Sequence, residues 1–211
     1  IDLWQSSGAL TDDMVWMRLL HSFKAGQRSL LQRVATNSSA QLAPWAKNLL
    51  AVYDRPEALP ELALPADSPY SPDIASHGLV HLAAYSPQNA LSYWMDYRQK
   101  LQFTAEQVRN VEYAIAEQSL FSRIAEHRDW LDGALARLND DRLVGMRLRW
   151  ALSEQDWAAV EHNLPLLSAS AREENVWRYW QAIVQERGGA TAAAKAALEQ
   201  LAGERDYYGF L

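Results

Sequence analysis

The sequence of 211 residues predicts an all-α protein, a right-handed superhelix or solenoid of antiparallel helix hairpins of tetratricopeptide-like type. Three observations lead there. Apolar residues recur at helical spacing through most of the chain, as in Trp130, Leu131, Ala134, Leu135 and Leu138, or Val176, Trp177, Trp180, Ile183 and Val184. Helix-start signals stand in front of these stripes, whereas no run of β-branched residues alternates between turn dipeptides. Landmarks also repeat: Asp129-Trp130 recurs as Asp156-Trp157, and Trp150 is followed by Trp180, spacings of about 30 residues that suit stacked helix pairs.

Residues 1–53 read as N-terminal helical hairpins, with Gly26 as a helix stop. Residues 54–73 form a proline-rich connector, because Pro56, Pro60, Pro65, Pro69 and Pro72 remove backbone donors and fix φ. Residues 74–211 read as the longer helix-pair solenoid. Ser71-Pro72 and Ser86-Pro87 each place a capping hydroxyl ahead of a proline at the first helical position, where the missing N–H costs nothing. Thr104 with Gln107 fits a capping box, Asn139 and Ser153 are candidate caps of later helices, and Gly188-Gly189 is a stop. Segments this short, joined by a few residues, pack antiparallel as hairpins. The 9 tryptophans are read as wedges between hairpins, since large rings fill inter-helix gaps; the alternative is a sugar-stacking platform.

Composition narrows the function. Hydrophobic residues make up 49% and charged residues 22%, enough for a folded core. A net charge of -6 with scattered Lys and Arg argues against nucleic acid and against an anionic membrane surface. No apolar run reaches the roughly 20 residues that span a bilayer, and Ile1 opens no leader-like stretch, so a mature product or an excised fragment is expected. The lack of cysteine excludes disulfides and thiolate metal sites.

Two stretches carry a family resemblance. From Arg149 onward the chain reads Asp156-Trp157-Ala158-Ala159-Val160, Pro165, Trp177-Arg178-Tyr179-Trp180-Gln181-Ala182 and Glu204-Arg205-Asp206-Tyr207-Tyr208-Gly209-Phe210-Leu211. Near the start stand Leu3-Trp4-Gln5, Leu10-Thr11-Asp12-Asp13, Val15-Trp16, Arg18 and Ala25-Gly26. In this order and spacing they resemble the superhelical N-terminal region of the soluble lytic murein transglycosylase family, strongly at the end and more loosely in the middle. Gly188-Gly189 and the alanine-rich run from Ala190 to Ala197 depart from the family's more varied segment. The resemblance implies a periplasmic enzyme that cleaves MurNAc-GlcNAc bonds of peptidoglycan to 1,6-anhydromuramoyl products. It also implies a helical platform that holds glycan strands for linker and lysozyme-like catalytic domains of the same parent chain, before which this sequence is expected to end.

The family sets its catalytic glutamate in a Glu-Ser pair, and no Glu here is followed by Ser, so this chain alone is expected to be non-catalytic. Its glutamates are expected on polar helix faces that meet water, where they stay ionised. Glu173-Glu174 reads as acids at a helix start, and Asp73, His77 and His81, although spaced i, i+4, i+8 on one face, lack an evident fourth ligand. His21, His127 and His162 read as surface or inter-helix residues. Arg142 and Arg149 share a face with Arg147 beside them, either as a solvated basic surface or as a site for stem-peptide carboxylates. No phosphate loop or nucleophile elbow is present, and no residue is assigned as catalytic, cofactor-binding or metal-ligating. The alternative to the platform is a free-standing helical-repeat scaffold that binds a protein or peptide in a concave face.

Overall fold

A computed structural model describes residues 11–204 and Tyr208, and among them are helices and no strand. In chain order the α-helices are α1 Asp12–Lys24, α2 Arg28–Thr36, α3 Ala43–Asp54, α4 Ser71–Ala83, α5 Pro87–Lys100, α6 Ala105–Phe121, α7 Arg128–Leu138, α8 Asp141–Glu154, α9 Trp157–Asn163, α10 Ala169–Arg172, α11 Asn175–Arg187 and α12 Thr191–Leu201. Short 3-10 turns lie at Pro56–Glu61, Ala125–His127 and Leu164–Leu166. The chain forms two compact units, residues 1–118 and 119–211.

Five of the described helix starts carry a side-chain cap, and Ser86, which holds the cap position of α5, makes no such bond through its hydroxyl. Thr11 caps α1 by accepting from the Met14 amide, and Gly26 ends the turn after α1 at φ +68°, a left-handed conformation that glycine adopts without cost. The capping box of α6 is complete: the Thr104 amide donates to Gln107 Oε1 at 2.8 Å, and the Gln107 amide donates to Thr104 Oγ1 at 3.2 Å. Asp140, Asp156 and Ser168 cap α8, α9 and α10. Gly188 and Gly189 follow α11, the second at φ +87°.

Three cap expectations are corrected. Asn139 ends α7 in a left-handed conformation at φ 49°, so the first carboxylate after it, Asp140, becomes the cap of α8. Ser153 lies inside α8 and returns its hydroxyl to the Trp150 carbonyl at 2.7 Å. Ser71 is already the first helical residue of α4, preceded by Tyr70. The proposed repeat is also imperfect: Asp156 is a cap, whereas Asp129 lies within the first turn of α7, and Trp150 is buried where Trp180 is half-buried.

In the first unit, consecutive helices pack as pairs, α1 on α2, α3 on α4 and α4 on α5. The proline-rich segment contributes to this core. Its 3-10 turn buries Pro56, Ala58 and Leu59, and the Tyr97 hydroxyl of α5 donates to the Leu59 carbonyl at 3.0 Å. Gly78 of α4 admits this approach, since a Cβ there would meet Val52 at 3.3 Å and Leu59 at 3.4 Å. A polar anchor joins three helices: Trp16 Nε1 of α1 donates to Asp73 Oδ2 of α4 at 2.7 Å, and Gln107 Nε2 of α6 donates to Asp73 Oδ1 at 2.7 Å. At the other end of α1 and α2, Arg28 grips Asp54 of α3 through two nitrogens, at 2.7 and 2.8 Å.

The second unit centres on α8. Leu143, Val144, Leu148 and Ala151 are buried on one stripe, and Arg147 lies among them at 2% exposure. Its charge is met by Asp132 of α7, which accepts from Arg147 Nε at 2.9 Å and from Asn163 Nδ2 of α9 at 3.1 Å. Trp150 is flanked by two guanidinium groups, Arg128 at 4.8 Å and Arg147 at 5.2 Å from the ring centre, and its Nε1 donates to Glu154 at 2.8 Å. The eight tryptophans in the described residues are all buried or half-buried, as wedges require. The stripe of α11 is less covered, with Trp177 and Ala182 buried while Val176, Trp180, Ile183 and Val184 are half-buried.

Two tests follow from this packing. Removing Asp132 leaves the buried Arg147 charge uncompensated, whereas removing Arg147 leaves Asp132 half-buried and able to take up water, so the two losses are unequal. Asp132→Ala is expected to cost about 3 kcal/mol or more in urea unfolding and Arg147→Met distinctly less; equal losses would contradict the anchor. The second test is pH. Burial lowers the pKa of His127, which shares a 2.7 Å hydrogen bond with Ser119, and of His77, whose Nδ1 lies 2.9 Å from the Asp73 carbonyl. Around His77, the Asp73 bond and charge oppose the shift and Lys24 adds to it. Both histidines therefore bind protons more weakly folded than unfolded. Their contribution is full above about pH 6.5 and is lost as pH falls through that value toward the folded pKa. The melting temperature should drop between about pH 7.5 and 5.5, and less so in a His77→Gln, His127→Gln variant; parallel curves would exclude these groups as the cause.

Candidate functional site

The histidine face of α4 is a packing surface. Asp73 spends both carboxylate oxygens on Trp16 and Gln107. His77 meets the Phe23 ring edge-on at 5.4 Å, and His81 stacks on Tyr53 at 5.4 Å with 16° between planes. Burial also lowers the pKa of His81. Tyr85, 74% exposed, packs edge-on to His81 at 5.4 Å, so one aromatic row ends at the surface. Among the described residues, no group of three or more His, Cys, Asp or Glu is arranged to hold a metal ion. His127 is buried between helices, while His21 and His162 are exposed.

The glutamates divide. Glu173 and Glu174 are both exposed: Glu174 occupies the cap position of α11, a helix-start place in agreement with the expectation although its side chain makes no cap bond, whereas Glu173 stands at the end of α10. Glu112 of α6 departs from the expectation that all glutamates face water: it is 1% exposed, with Arg98 Nη1 at 3.5 Å. Its i−1, i+3 and i+4 neighbours Val111, Ile115 and Ala116 are buried, so Glu112 sits at the edge of the apolar stripe, and that position was readable from the sequence.

The basic face of α8 is split by helical geometry. Arg147 falls on the buried stripe with Leu143, Val144 and Ala151 and turns inward to Asp132, so it is not part of a basic surface with its neighbours. Arg142 and Arg149 stay outside and line an open cleft of about 300 Å³ with Asp141, Met146, Ala171, Glu174 and Trp177. Three elements build it: α8 brings the arginines, α10 its floor at Ala171, and the start of α11 brings Glu174 and Trp177. Asp141 fixes α10 to α8 by accepting from the Ser168 amide at 2.7 Å and from its hydroxyl at 2.6 Å. The Arg149 guanidinium lies over the Trp177 ring, 5.0 Å from its centre. Gly145 makes this contact possible, since a Cβ there would stand 2.9 Å from Arg149 Nη1 and 3.1 Å from the Trp177 ring. Sequence reading identified the arginines but not their pairing with Trp177, which comes from a different helix. A wider cleft of about 580 Å³ between α11 and α12 is lined by Tyr179, Ile183, Leu198 and Tyr208, and its Lys195 lies 3.8 Å from Glu199 of its own helix.

The motifs of the sequence resemblance fall partly inside the described residues. Trp177 is a core residue, and Tyr179 packs on Trp180 at 5.1 Å and on Tyr208 at 5.7 Å. Leu3-Trp4-Gln5, Leu10, Arg205-Asp206-Tyr207 and Gly209-Phe210-Leu211 lie outside the described residues.

No protein-family model matches the chain. Among curated proteins, the soluble lytic murein transglycosylase of Escherichia coli K12 is 25% identical over 209 residues, which cover 98% of this chain and 32% of the relative. The protein of the same name from Salmonella typhimurium is 24% identical over 209 residues. Solved structures agree. The 70-kDa soluble lytic transglycosylase of Escherichia coli superposes with a TM-score of 0.76 at 25% identity, covering 99% of this chain and 34% of that one. A structure of the same enzyme class with bulgecin A gives the same score. An inactive mutant of the lytic transglycosylase Slt from Pseudomonas aeruginosa gives 0.80 at 26% identity, with 99% and 34% covered. The chain spans about a third of the length of the curated relatives it matches. In sequence and in fold it is a homologue of the soluble lytic murein transglycosylases, matched to their N-terminal superhelical region.

Proposed function

We propose that this chain is the non-catalytic superhelical platform of a periplasmic lytic transglycosylase, a part that holds peptidoglycan glycan strands for a catalytic domain of the same parent protein. The observation that carries the reading is the match of almost the whole chain to only a third of enzymes named for murein cleavage. The chemistry agrees with a separate catalytic part. Cleavage of this kind needs a carboxyl group that remains protonated near neutral pH, within hydrogen-bond reach of a glycosidic oxygen. Glu174 lines an open cleft at the surface, and Glu112 is buried with Arg98 Nη1 at 3.5 Å. Neither is followed by the serine of the family's catalytic pair. Among the described residues, no helix is long and apolar enough to cross a membrane, which accords with a periplasmic setting.

The chain should bind insoluble sacculi weakly, because both partners carry net negative charge and lack long-range attraction. Sedimentation with sacculi at low and high salt is expected to show modest retention that changes little as salt rises. Retention that collapses with salt would mean that a basic patch dominates. No retention at either salt would remove the platform reading. Mass spectrometry of the same incubations should reveal no 1,6-anhydromuramoyl fragments above a heat-killed control; their release by this chain would overturn the non-catalytic assignment.

A further inference from the structure

Four charged residues line the cleft between α8 and α11, Asp141, Arg142, Arg149 and Glu174, and two of them, Arg149 and Glu174, do not satisfy each other. Arg149 and Glu174 both line it, both are exposed, and among the described residues neither side chain has a charged or hydrogen-bonding partner. Their elements place both at the cleft. Arg149 lies over the Trp177 ring, in a space that Gly145 keeps open, and the backbone of Glu174 is set at the head of α11, where its carbonyl accepts from the Trp177 and Arg178 amides at 2.9 and 3.0 Å and its side chain extends to the cleft wall. Asp141 adds negative charge to the wall but already accepts two hydrogen bonds from Ser168. A cation and an anion carried by different helices around about 300 Å³ form a receptor for a small group that carries both charges in the reverse order.

We infer that this cleft binds the zwitterionic end of a peptide, its carboxylate on Arg149 and its ammonium on Glu174, with the aliphatic part against Met146 and the edge of Trp177. The ligand class rests on the platform reading above: peptidoglycan stem peptides present such an end wherever their diamino-acid residue is not cross-linked. The cleft would then read the peptide side of the polymer and select strands that still carry free peptide ends. Because the cleft sets two carboxylates, Asp141 and Glu174, beside two guanidinium groups, Arg142 and Arg149, a simple anion is a poorer fit than a zwitterion, and the overall acidity of the chain is no obstacle.

The test is titration of the whole chain with a synthetic tripeptide ending in meso-diaminopimelate, followed through indole and backbone amide NMR signals. The free tripeptide should shift the Trp177 indole signal, assigned with a Trp177→Phe variant. Arg149→Gln and Glu174→Gln should each weaken binding about tenfold, as expected for one charge-assisted hydrogen bond, while Arg149→Lys retains part of it. With the N-terminal amine blocked in every peptide, amidating the carboxyl at the diaminopimelate centre that bears the free amine should abolish the dependence on Arg149, and acetylating the amine at that centre should abolish the dependence on Glu174. Tripeptide affinity unchanged in both Gln variants, or equal for the free, amidated and acetylated peptides, would overturn the inference, as would no binding at all. Sedimentation with sacculi run in parallel separates the two readings. Sacculi retained by a chain that ignores the tripeptide would eliminate the cleft and leave the platform standing; tripeptide bound without retention of sacculi would do the reverse.

Discussion

The described helices run from 4 to 17 residues, and all but the shortest carry one apolar stripe and a polar remainder. A helix of that size is not stable alone in water, so each stripe has to be covered by the next helix in sequence. The rest of the structure depends on this constraint. It accounts for the packing of α1 on α2, α3 on α4, α4 on α5, α8 on α9 and α11 on α12. It also accounts for the tryptophans, whose area covers the gaps between round helices, and for Gly78 and Gly145, where a missing side chain lets a neighbour close in.

Apolar stripes are forgiving about register, since neighbouring helices can slide with little loss of buried area. Directional anchors remove that freedom. In the first unit Asp73 receives Trp16 from one side and Gln107 from the other, so a helix-start acid that would otherwise favour the macrodipole alone also ties α1 and α6 to α4. In the second unit Asp132 gathers Arg147 and Asn163, linking α7, α8 and α9. Such anchors add little to net stability because the charged groups lose hydration on burial, but breaking one half is costly, and that asymmetry favours a single arrangement.

The same helix that supplies the buried anchor supplies the open cleft. Arg147 and Arg149 are two residues apart, which on an α-helix places them about 200° apart. One turns into the core while the other lies over Trp177 at the surface. Arg142 and Arg149 are nearly two full turns apart and stay on one side, where α10 and α11 close around them. The function of a charge on this helix is therefore set by its angular position and not by residue type.

The fold class was legible because helical periodicity, capping residues and the lack of strand patterns are local properties. Thr104 and Gln107, Gly26 and Gly188-Gly189 act where they stand in the sequence and need no partner from elsewhere. The inward turn of Arg147 and the burial of Glu112 were also readable, since each sits at i±3 or i±4 from buried apolar residues. The resemblance to one enzyme family rested on aromatic strings whose order along the chain suffices for recognition. What the tertiary structure alone decided is which distant residues meet: Asp73 with Trp16 and Gln107, Asp132 with Asn163, Arg149 with Trp177 and Glu174 across one cleft. The physical reason is that helix periodicity and caps arise from hydrogen bonds within a few residues, whereas a cleft arises from the angle and register at which separate helices pack, and these are set by side-chain volumes summed over the whole contact.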